Sequence, residues 1–109
     1  MNHFETPKTL TELNALLPET MQSVWQFDDL ALRDGAIPSR YKELMALAVA
    51  CNEECANCIE MHTRRARKLG ASNQEIAESV MVALALRAGR VLLHGISPDS
   101  IPANPATAA

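Results

Sequence analysis

Cys55-Ala56-Asn57-Cys58-Ile59-Glu60-Met61-His62 is the stretch on which the fold and the chemistry of this chain both depend. It contains a CxxC motif and, four residues after the second cysteine, a histidine. Two sulfurs at this spacing are close enough to form a disulfide, and such pairs often contain one thiol of depressed pKa. On a helix, residues four apart are neighbours, so we expect His62 to lie beside Cys58. A base beside a thiol is the basic arrangement of activated-thiol chemistry.

The segments around this motif predict helices and no strands. Gly35 and Pro38 mark one break between them, where Gly35 can take a left-handed cap. Residues 52–54 mark the next break, where Asn52 is able to take a left-handed conformation. Ser72 and Glu75 predict a capping box that begins the last helix. The predicted helices cover residues 10–17, 18–33, 39–51, 55–69 and 73–94.

The composition favours a single all-α domain formed by the whole chain of 109 residues. Hydrophobic residues make up 48% of the chain and aromatic residues only 4%, which favours packed helices of leucine, alanine, valine and methionine over a sheet. Residues 9–95 are expected to form a small bundle of about five helices. Residues 96–109 are expected to be an extended or disordered tail.

Charge and hydropathy exclude several classes of partner. The formal net charge of −3 provides no positive field for nucleic acid or an anionic membrane, so neither is expected. The longest apolar run, residues 80–86, is too short for a membrane span, and the first residues show no signal peptide. Three cysteines do not make a secreted disulfide framework. The sequence therefore predicts a cytoplasmic protein.

The last predicted helix is apolar on all sides between residues 80 and 86. Such a helix needs partners on more than one side, and a chain of five helices can hardly supply them. We therefore predict that this helix lies partly between the subunits of a homo-oligomer.

A metal site is the first alternative for the motif. Cys51 and His62 would be separated by about 16 Å along one continuous helix, whereas four zinc ligands must each lie about 2.0–2.3 Å from the ion. His3 and His94 stand alone in their segments and do not complete a site. A haem attachment would need histidine directly after the second cysteine, and a thioredoxin-like site would need strands. No metal ion or cofactor is therefore expected, and zinc stays a minor alternative.

Glu43 is the residue outside the motif that bears most on its chemistry. If helices 39–51 and 55–69 form an antiparallel hairpin, Glu43 lies ten positions before Glu53 and His62 nine positions after it, so the two side chains face each other. Glu43 interrupts an apolar face, and a carboxylate there needs a partner. A chain from Glu43 through His62 to Cys58 would let the carboxylate orient the ring and the ring accept the thiol proton. On spacing alone, a Glu43 side chain that merely reaches solvent is equally compatible. The apolar face is predicted from Tyr41, Leu44, Met45, Leu47, Ala48 and Cys51.

The spacing Glu-x11-Cys-x2-Cys-x3-His, from Glu43 to His62, resembles the signature of the alkylhydroperoxidase D-like proteins of the carboxymuconolactone decarboxylase superfamily. The resemblance extends over about residues 38–95, including the linker Arg-Lys-Leu-Gly-Ala-Ser. It implies an all-helical subunit that assembles as a trimer or hexamer and has peroxidase or disulfide-reductase activity. The redox partners of such proteins can be lipoyl-carrying or peroxiredoxin proteins. The decarboxylase branch generally lacks the CxxC, so its presence favours the redox branch.

The mechanism expected from this resemblance uses Cys58, Cys55, His62 and Glu43 as catalytic residues. Cys58 attacks a hydroperoxide as a thiolate and becomes a sulfenic acid, Cys55 condenses with it, and an external dithiol reduces the disulfide. The order of the cysteines is open, because Cys55 lies at the expected helix N-terminus, where the dipole also lowers a thiol pKa. Cys51 lies outside the motif and is predicted to be a small buried apolar residue.

Two other classes of function fit the same residues. One is a lyase of the decarboxylase type, in which His62 and Glu43 perform acid–base chemistry and the thiols are incidental. The other is a non-catalytic sensor, in which peroxide forms the Cys55–Cys58 disulfide and no reductant system reduces it again.

Overall fold

The structure, a computed structural model, describes residues 9–94. These residues form five α-helices and no strand, which confirms the predicted all-α class. The predicted tail, 96–109, lies outside the described residues, and the single-domain organisation stays a prediction. The chain divides into two compact units, which within the described range are residues 9–39 and 40–94. The helices are α1 (Leu10–Leu16), α2 (Pro18–Leu32), α3 (Ser39–Asn52), α4 (Ala56–Lys68) and α5 (Asn73–Leu93).

A side-chain cap begins α1, and a proline begins α2. The hydroxyl of Thr9 accepts a hydrogen bond from the third backbone N–H of α1, at 3.1 Å, and Pro18 occupies the first turn of α2, where its missing N–H costs nothing. The predicted left-handed cap at Gly35 is wrong, because Gly35 has no positive φ. The turn is closed instead by Asp34, whose Oδ1 accepts from the backbone N–H of Ser39 at 2.7 Å.

In the second unit, α3 and α5 run parallel with a constant register. Three contacts join them, and in each the partners are 35 residues apart in sequence. Because α4 connects them, it runs antiparallel to both. The contacts are an ion pair of 3.9 Å between Arg40 and Glu75, a hydrogen bond from the Ser79 hydroxyl to the Leu44 carbonyl, and one of 3.1 Å from Arg87 Nη1 to the Asn52 carbonyl.

The core of this unit is thin and contains polar groups. Its buried apolar residues are one leucine and three alanines, and a glutamate and a serine are buried among them. The buried face of α3 lies along Glu43, Leu47 and Ala50. The predicted apolar face was therefore partly wrong, since Tyr41 and Met45 are 41% and 51% exposed. The buried residues are Leu47, Ala50, Ala66, Ala83, Glu43 and Ser79.

The connection from α4 to α5 follows the predicted signals. Gly70 has a φ of 91°, and the N–H of Ala71 donates to the Ala66 carbonyl at 3.0 Å, which is the hydrogen-bond pattern of a Schellman motif. The capping box of Ser72 and Glu75 is confirmed, with both hydrogen bonds present. The hydrogen bond from the Ser72 backbone holds the pKa of the Glu75 carboxyl below its ordinary value. Within residues 9–94, no helix has the length and apolar character that crossing a membrane requires.

Candidate active site

The turn between α3 and α4 presents the first cysteine of the motif. Cys55 donates its N–H to the Ala50 carbonyl, and Glu54 donates to the Cys51 carbonyl, each at 3.2 Å. Together these bonds close α3 with a Schellman motif. Its left-handed residue is Glu54, with a φ of 57°, so the prediction for Asn52 is wrong. Asn52 is the last residue of α3, because the chain reverses two positions later than expected.

A side chain from α5 fixes this turn in place. Nη1 of Arg87 donates to the Asn52 carbonyl at 3.1 Å, and Nη2 lies 3.0 Å from Oε1 of Glu54. The first contact satisfies a carbonyl at the end of α3 that has no partner within the helix. The second contact is an ion pair with Glu54, the residue that has the left-handed conformation. Arg87 thereby connects α5 to the turn immediately before the CxxC.

Cys55 and Cys58 are joined by a disulfide in the structure, and both are half-buried. Cys55 is the N-cap of α4, and its sulfur accepts a hydrogen bond from the Cys58 N–H at 3.2 Å. The predicted position of Cys55 at the helix N-terminus is therefore present. A donated hydrogen bond and the positive end of the helix dipole both stabilise a thiolate over a thiol.

Glu43 and His62 meet as the hairpin predicts. Oε2 of Glu43 lies 2.6 Å from Nδ1 of His62. The Glu43 side chain is 5% exposed and that of His62 12% exposed, so solvent does not screen the contact effectively. The alternative in which Glu43 reaches solvent does not hold. His62 lies one turn after Cys58 on α4, so Glu43 faces the helix that carries Cys58 and His62 and that Cys55 caps.

Arg65 is a member of the site that the sequence did not identify. Its Nη1 lies 3.8 Å from Oε1 of Glu43, and its side chain is 35% exposed. A run of basic residues at the end of a helix is ordinarily a solvated surface, but Arg65 turns from that surface to the buried carboxylate. Arg65 lies three residues after His62, on the same side of α4. This spacing is the one feature of the sequence that could have indicated its place in the site.

The remaining candidate ligands stay outside this arrangement. Cys51 is half-buried, which is less than the full burial predicted for it. His94 is exposed at the end of α5. Within residues 9–94, no three or more histidine, cysteine, aspartate and glutamate side chains are grouped so that they could hold a metal ion.

Comparison with known proteins identifies a family and two similar sequences. The sequence profile of the carboxymuconolactone decarboxylase family matches residues 18–97. An uncharacterised protein encoded in the cox locus of Paracoccus denitrificans is 40% identical over 93 residues, which is 79% of this chain and 84% of that protein. An uncharacterised protein of Cupriavidus necator is 29% identical over 87 residues, covering 73% of this chain and 77% of that protein.

Solved structures show the same likeness. A crystal structure of a protein from Methanobacterium thermoautotrophicum superposes with a TM-score of 0.70 and 28% identity, covering 76% of this chain and 93% of that one. A carboxymuconolactone decarboxylase family protein from Legionella pneumophila, in its apo form, gives a TM-score of 0.69 and 30% identity, covering 78% of this chain and 76% of that one.

Proposed function

Because the chain belongs to the carboxymuconolactone decarboxylase family, we propose that it is a thiol-dependent peroxidase and disulfide oxidoreductase that acts through Cys55 and Cys58. The observation that carries the proposal is the buried contact of 2.6 Å between Glu43 and His62, one helical turn from Cys58. A carboxylate accepts hydrogen bonds and donates none, so it directs the Nδ1–H of the imidazole toward itself. The lone pair of Nε2 is then available to accept a proton, as in other carboxylate–histidine pairs.

The first chemical step is the reduction of a hydroperoxide by Cys58. His62 accepts the thiol proton, and the thiolate attacks the outer oxygen of the O–O bond. An S–O bond forms as the O–O bond breaks, so the sulfur becomes a sulfenic acid and the alkoxide leaves. The proton held by His62 converts the alkoxide to an alcohol.

The second step closes the disulfide. Cys55 attacks the sulfenic sulfur of Cys58, an S–S bond forms, and hydroxide leaves as water after it takes the thiol proton. The hydrogen bond from the Cys58 N–H to the Cys55 sulfur favours the thiolate that this attack requires. The disulfide in the structure corresponds to the product of this step.

The third step requires two electrons from outside the chain. The sequence contains three cysteines, and after closure of the disulfide only Cys51 is left as a thiol. A single thiol cannot return a disulfide to a dithiol without forming a mixed disulfide. We therefore propose an external dithiol, of the lipoyl type, as the reductant. Two thiol–disulfide exchanges oxidise it and restore Cys55 and Cys58.

A steady-state assay tests this function. Consumption of an organic hydroperoxide is measured with a panel of dithiols, dihydrolipoamide included, and turnover is expected with at least one of them. The control is the Cys55→Ser/Cys58→Ser double variant, which is expected to be inactive. If the wild type consumes no peroxide and this double variant retains full activity on a lactone acid, the proposal is wrong and the chain is a lyase. If peroxide forms the disulfide and no dithiol reduces it, the protein is a sensor and not an enzyme.

The exposed apolar surface of α5 supports a homo-oligomer, for which we propose a trimer or a hexamer. Of the seven apolar residues from 80 to 86, only Ala83 is buried in the single chain, and Leu86 is 65% exposed. The thin core described above leaves large side chains in water along most of this helix. Monomeric proteins rarely expose contiguous apolar patches of this kind, and a second copy of the chain presents the same surface.

Light scattering at micromolar concentration is expected to give the mass of a trimer or hexamer. A Val82→Glu/Leu86→Glu variant, which places two charges on one side of α5, is expected to give a smaller species because it would bury unpaired carboxylates at the interface. A Glu78→Gln variant serves as the control for a change at an exposed position of the same helix. A monomeric wild type would contradict the proposal.

A further inference from the structure

The carboxylate of Glu43 is contacted on both of its oxygens. Oε2 lies 2.6 Å from Nδ1 of His62, and Oε1 lies 3.8 Å from Nη1 of Arg65. Glu43 belongs to α3, whereas both partners belong to α4. The buried carboxylate thus meets an imidazole on one side and a guanidinium on the other.

Arg65 differs in its surroundings from the arginine that precedes it. Arg64 is 69% exposed and pairs at 2.6 Å with Glu60, one turn earlier on the same helix. Arg65 is half as exposed and reaches across to a different helix. Cys58 lies seven residues before Arg65, so the two share one side of α4. Two adjacent residues of the same type thus have separate surroundings, one on the outer surface and one at the buried pair.

The guanidinium of Arg65 lies beside Oε1 of Glu43 at ion-pair distance, whereas Oε2 faces Nδ1 of His62. A carboxylate in this orientation accepts hydrogen bonds and donates none. This arrangement selects the imidazole tautomer with hydrogen on Nδ1 and a lone pair on Nε2, since the tautomer of a histidine is fixed by the hydrogen bond that its ring nitrogen makes.

The charged residues of α5 are engaged elsewhere or exposed. Glu75 pairs with Arg40, and Arg87 pairs with Glu54. Glu78 and Arg90 are exposed. Among the described contacts, Glu43 from α3 is therefore the charged group that contacts His62. Arg65 from α4 contacts Glu43 in turn.

We propose that Arg65 is a positioning residue for the thiol chemistry, which holds Glu43 so that its carboxylate fixes the tautomer of His62, an inference that rests on the proposed function. Arg65 does not touch the reacting sulfur or oxygen atoms and acts through Glu43 and His62. At metal sites, partners that orient a ligating histidine or carboxylate typically change activity by about 10- to 100-fold when they are removed, and we expect an effect of similar size for a partner that orients Glu43. Because Arg65 is partly exposed, solvent and salt screen its charge, and we expect an effect near the lower end of that range.

The test compares Arg65→Met with Arg64→Met. Each variant removes one guanidinium from the same helix and keeps an unbranched apolar side chain. For Arg65→Met, the rate constant for oxidation of the reduced protein by peroxide is expected to fall by about tenfold. Nitrogen-15 NMR of His62, assigned with a His62→Gln variant, is expected to show a smaller fraction of the Nδ1–H tautomer. Arg64→Met is expected to change neither quantity.

Several results would overturn the inference. One is an Arg65→Met variant with the wild-type rate and tautomer, and another is an equal effect from Arg64→Met. Arg65→Lys keeps the positive charge and is expected to recover most of the rate and of the tautomer signal. A lysine variant as slow as the methionine variant would contradict an electrostatic role. The lysine variant also serves as the test if circular dichroism shows that Arg65→Met does not fold.

The NMR measurement separates this inference from the proposed function. The tautomer of His62 is read in the absence of peroxide and of any dithiol. If the wild type fails the peroxidase assay but Arg65→Met still changes the tautomer, the positioning role stands and the proposed activity is wrong. If the wild type is an active peroxidase and the tautomer is the same in both arginine variants, the activity stands and the positioning role is wrong.

Discussion

Replacing Cys58 with serine is expected to reduce peroxide turnover to the uncatalysed background, a loss on the order of 10³-fold or more, as for other enzymes that lose their nucleophile. A serine hydroxyl at this position is too weakly acidic for His62 to ionise it fully, and it cannot form a sulfenic acid. The measurement is consumption of an organic hydroperoxide with dihydrolipoamide as the donor. Cys51→Ser is the matched control, because it removes the third thiol, which lies outside the motif, and should retain wild-type turnover.

The Cys55→Ser variant distinguishes the roles of the two thiols. Cys58 then has no partner for disulfide formation, so one equivalent of peroxide should leave it as a sulfenic acid. Intact-mass spectrometry would detect a protein one oxygen atom heavier, and a sulfenic-acid reagent would label it. Serine is a good helix N-cap, so α4 should begin normally and the loss of turnover can be assigned to chemistry. A sulfenic acid trapped only in Cys58→Ser would instead identify Cys55 as the attacking thiol.

Glu43→Gln is expected to slow oxidation of the reduced protein by about 10²-fold at neutral pH, within the range typical of general-base catalysis. The amide is nearly the same shape and can still accept a hydrogen bond, but it carries no charge to stabilise the imidazolium that forms at His62. It can also donate to the ring, which would select the wrong tautomer. The measurement is the rate of loss of free thiol after addition of peroxide.

The pH dependence distinguishes a loss of base catalysis from a damaged fold. A free cysteine ionises by itself at about pH 8.5, so above about pH 9 the thiolate no longer depends on the base and the deficit of Glu43→Gln should narrow. Glu60→Gln removes an exposed carboxylate of α4 that pairs with Arg64 and is expected to react like the wild type. A deficit that is the same at neutral and alkaline pH would mean that Glu43 acts through packing alone.

The helices and one key contact were predictable from local and pairwise rules. Thr9 and Ser72 cap α1 and α5 as their residue types predict, because N-cap chemistry depends on only a few neighbouring residues. The contact between Glu43 and His62 followed from counting outward from one turn. An error of one residue in the position of the turn would still leave Glu43 near His62, since each face of a helix carries several side chains.

Two features were not predictable from the sequence, the left-handed residue of one turn and the role of Arg65. The left-handed residue of the α3–α4 turn is Glu54 rather than Asn52, and its carboxylate lies 3.0 Å from Arg87 of α5. Arg65 belonged to a run of basic residues whose ordinary explanation is a solvated helix end. Arg65 differs from its neighbours only because it lies near Glu43 on another helix. The composition of the basic run carries no information about the distance between Arg65 and Glu43.

Cys55 ends one helix motif and begins the next helix, and this links stability to redox state. Its sulfur accepts the Cys58 N–H, and a thiolate is a stronger acceptor than a disulfide sulfur because charge strengthens the hydrogen bond. This contact therefore favours the reduced form in the folded chain. Thermodynamic reciprocity then requires reduction to favour folding by the same free energy. If the pair is a stronger oxidant in the folded chain than in the unfolded one, the dithiol protein must be more stable than the disulfide protein. The difference between the reduction potentials of the folded and unfolded chains and the difference in stability between the two redox forms are then the same free energy.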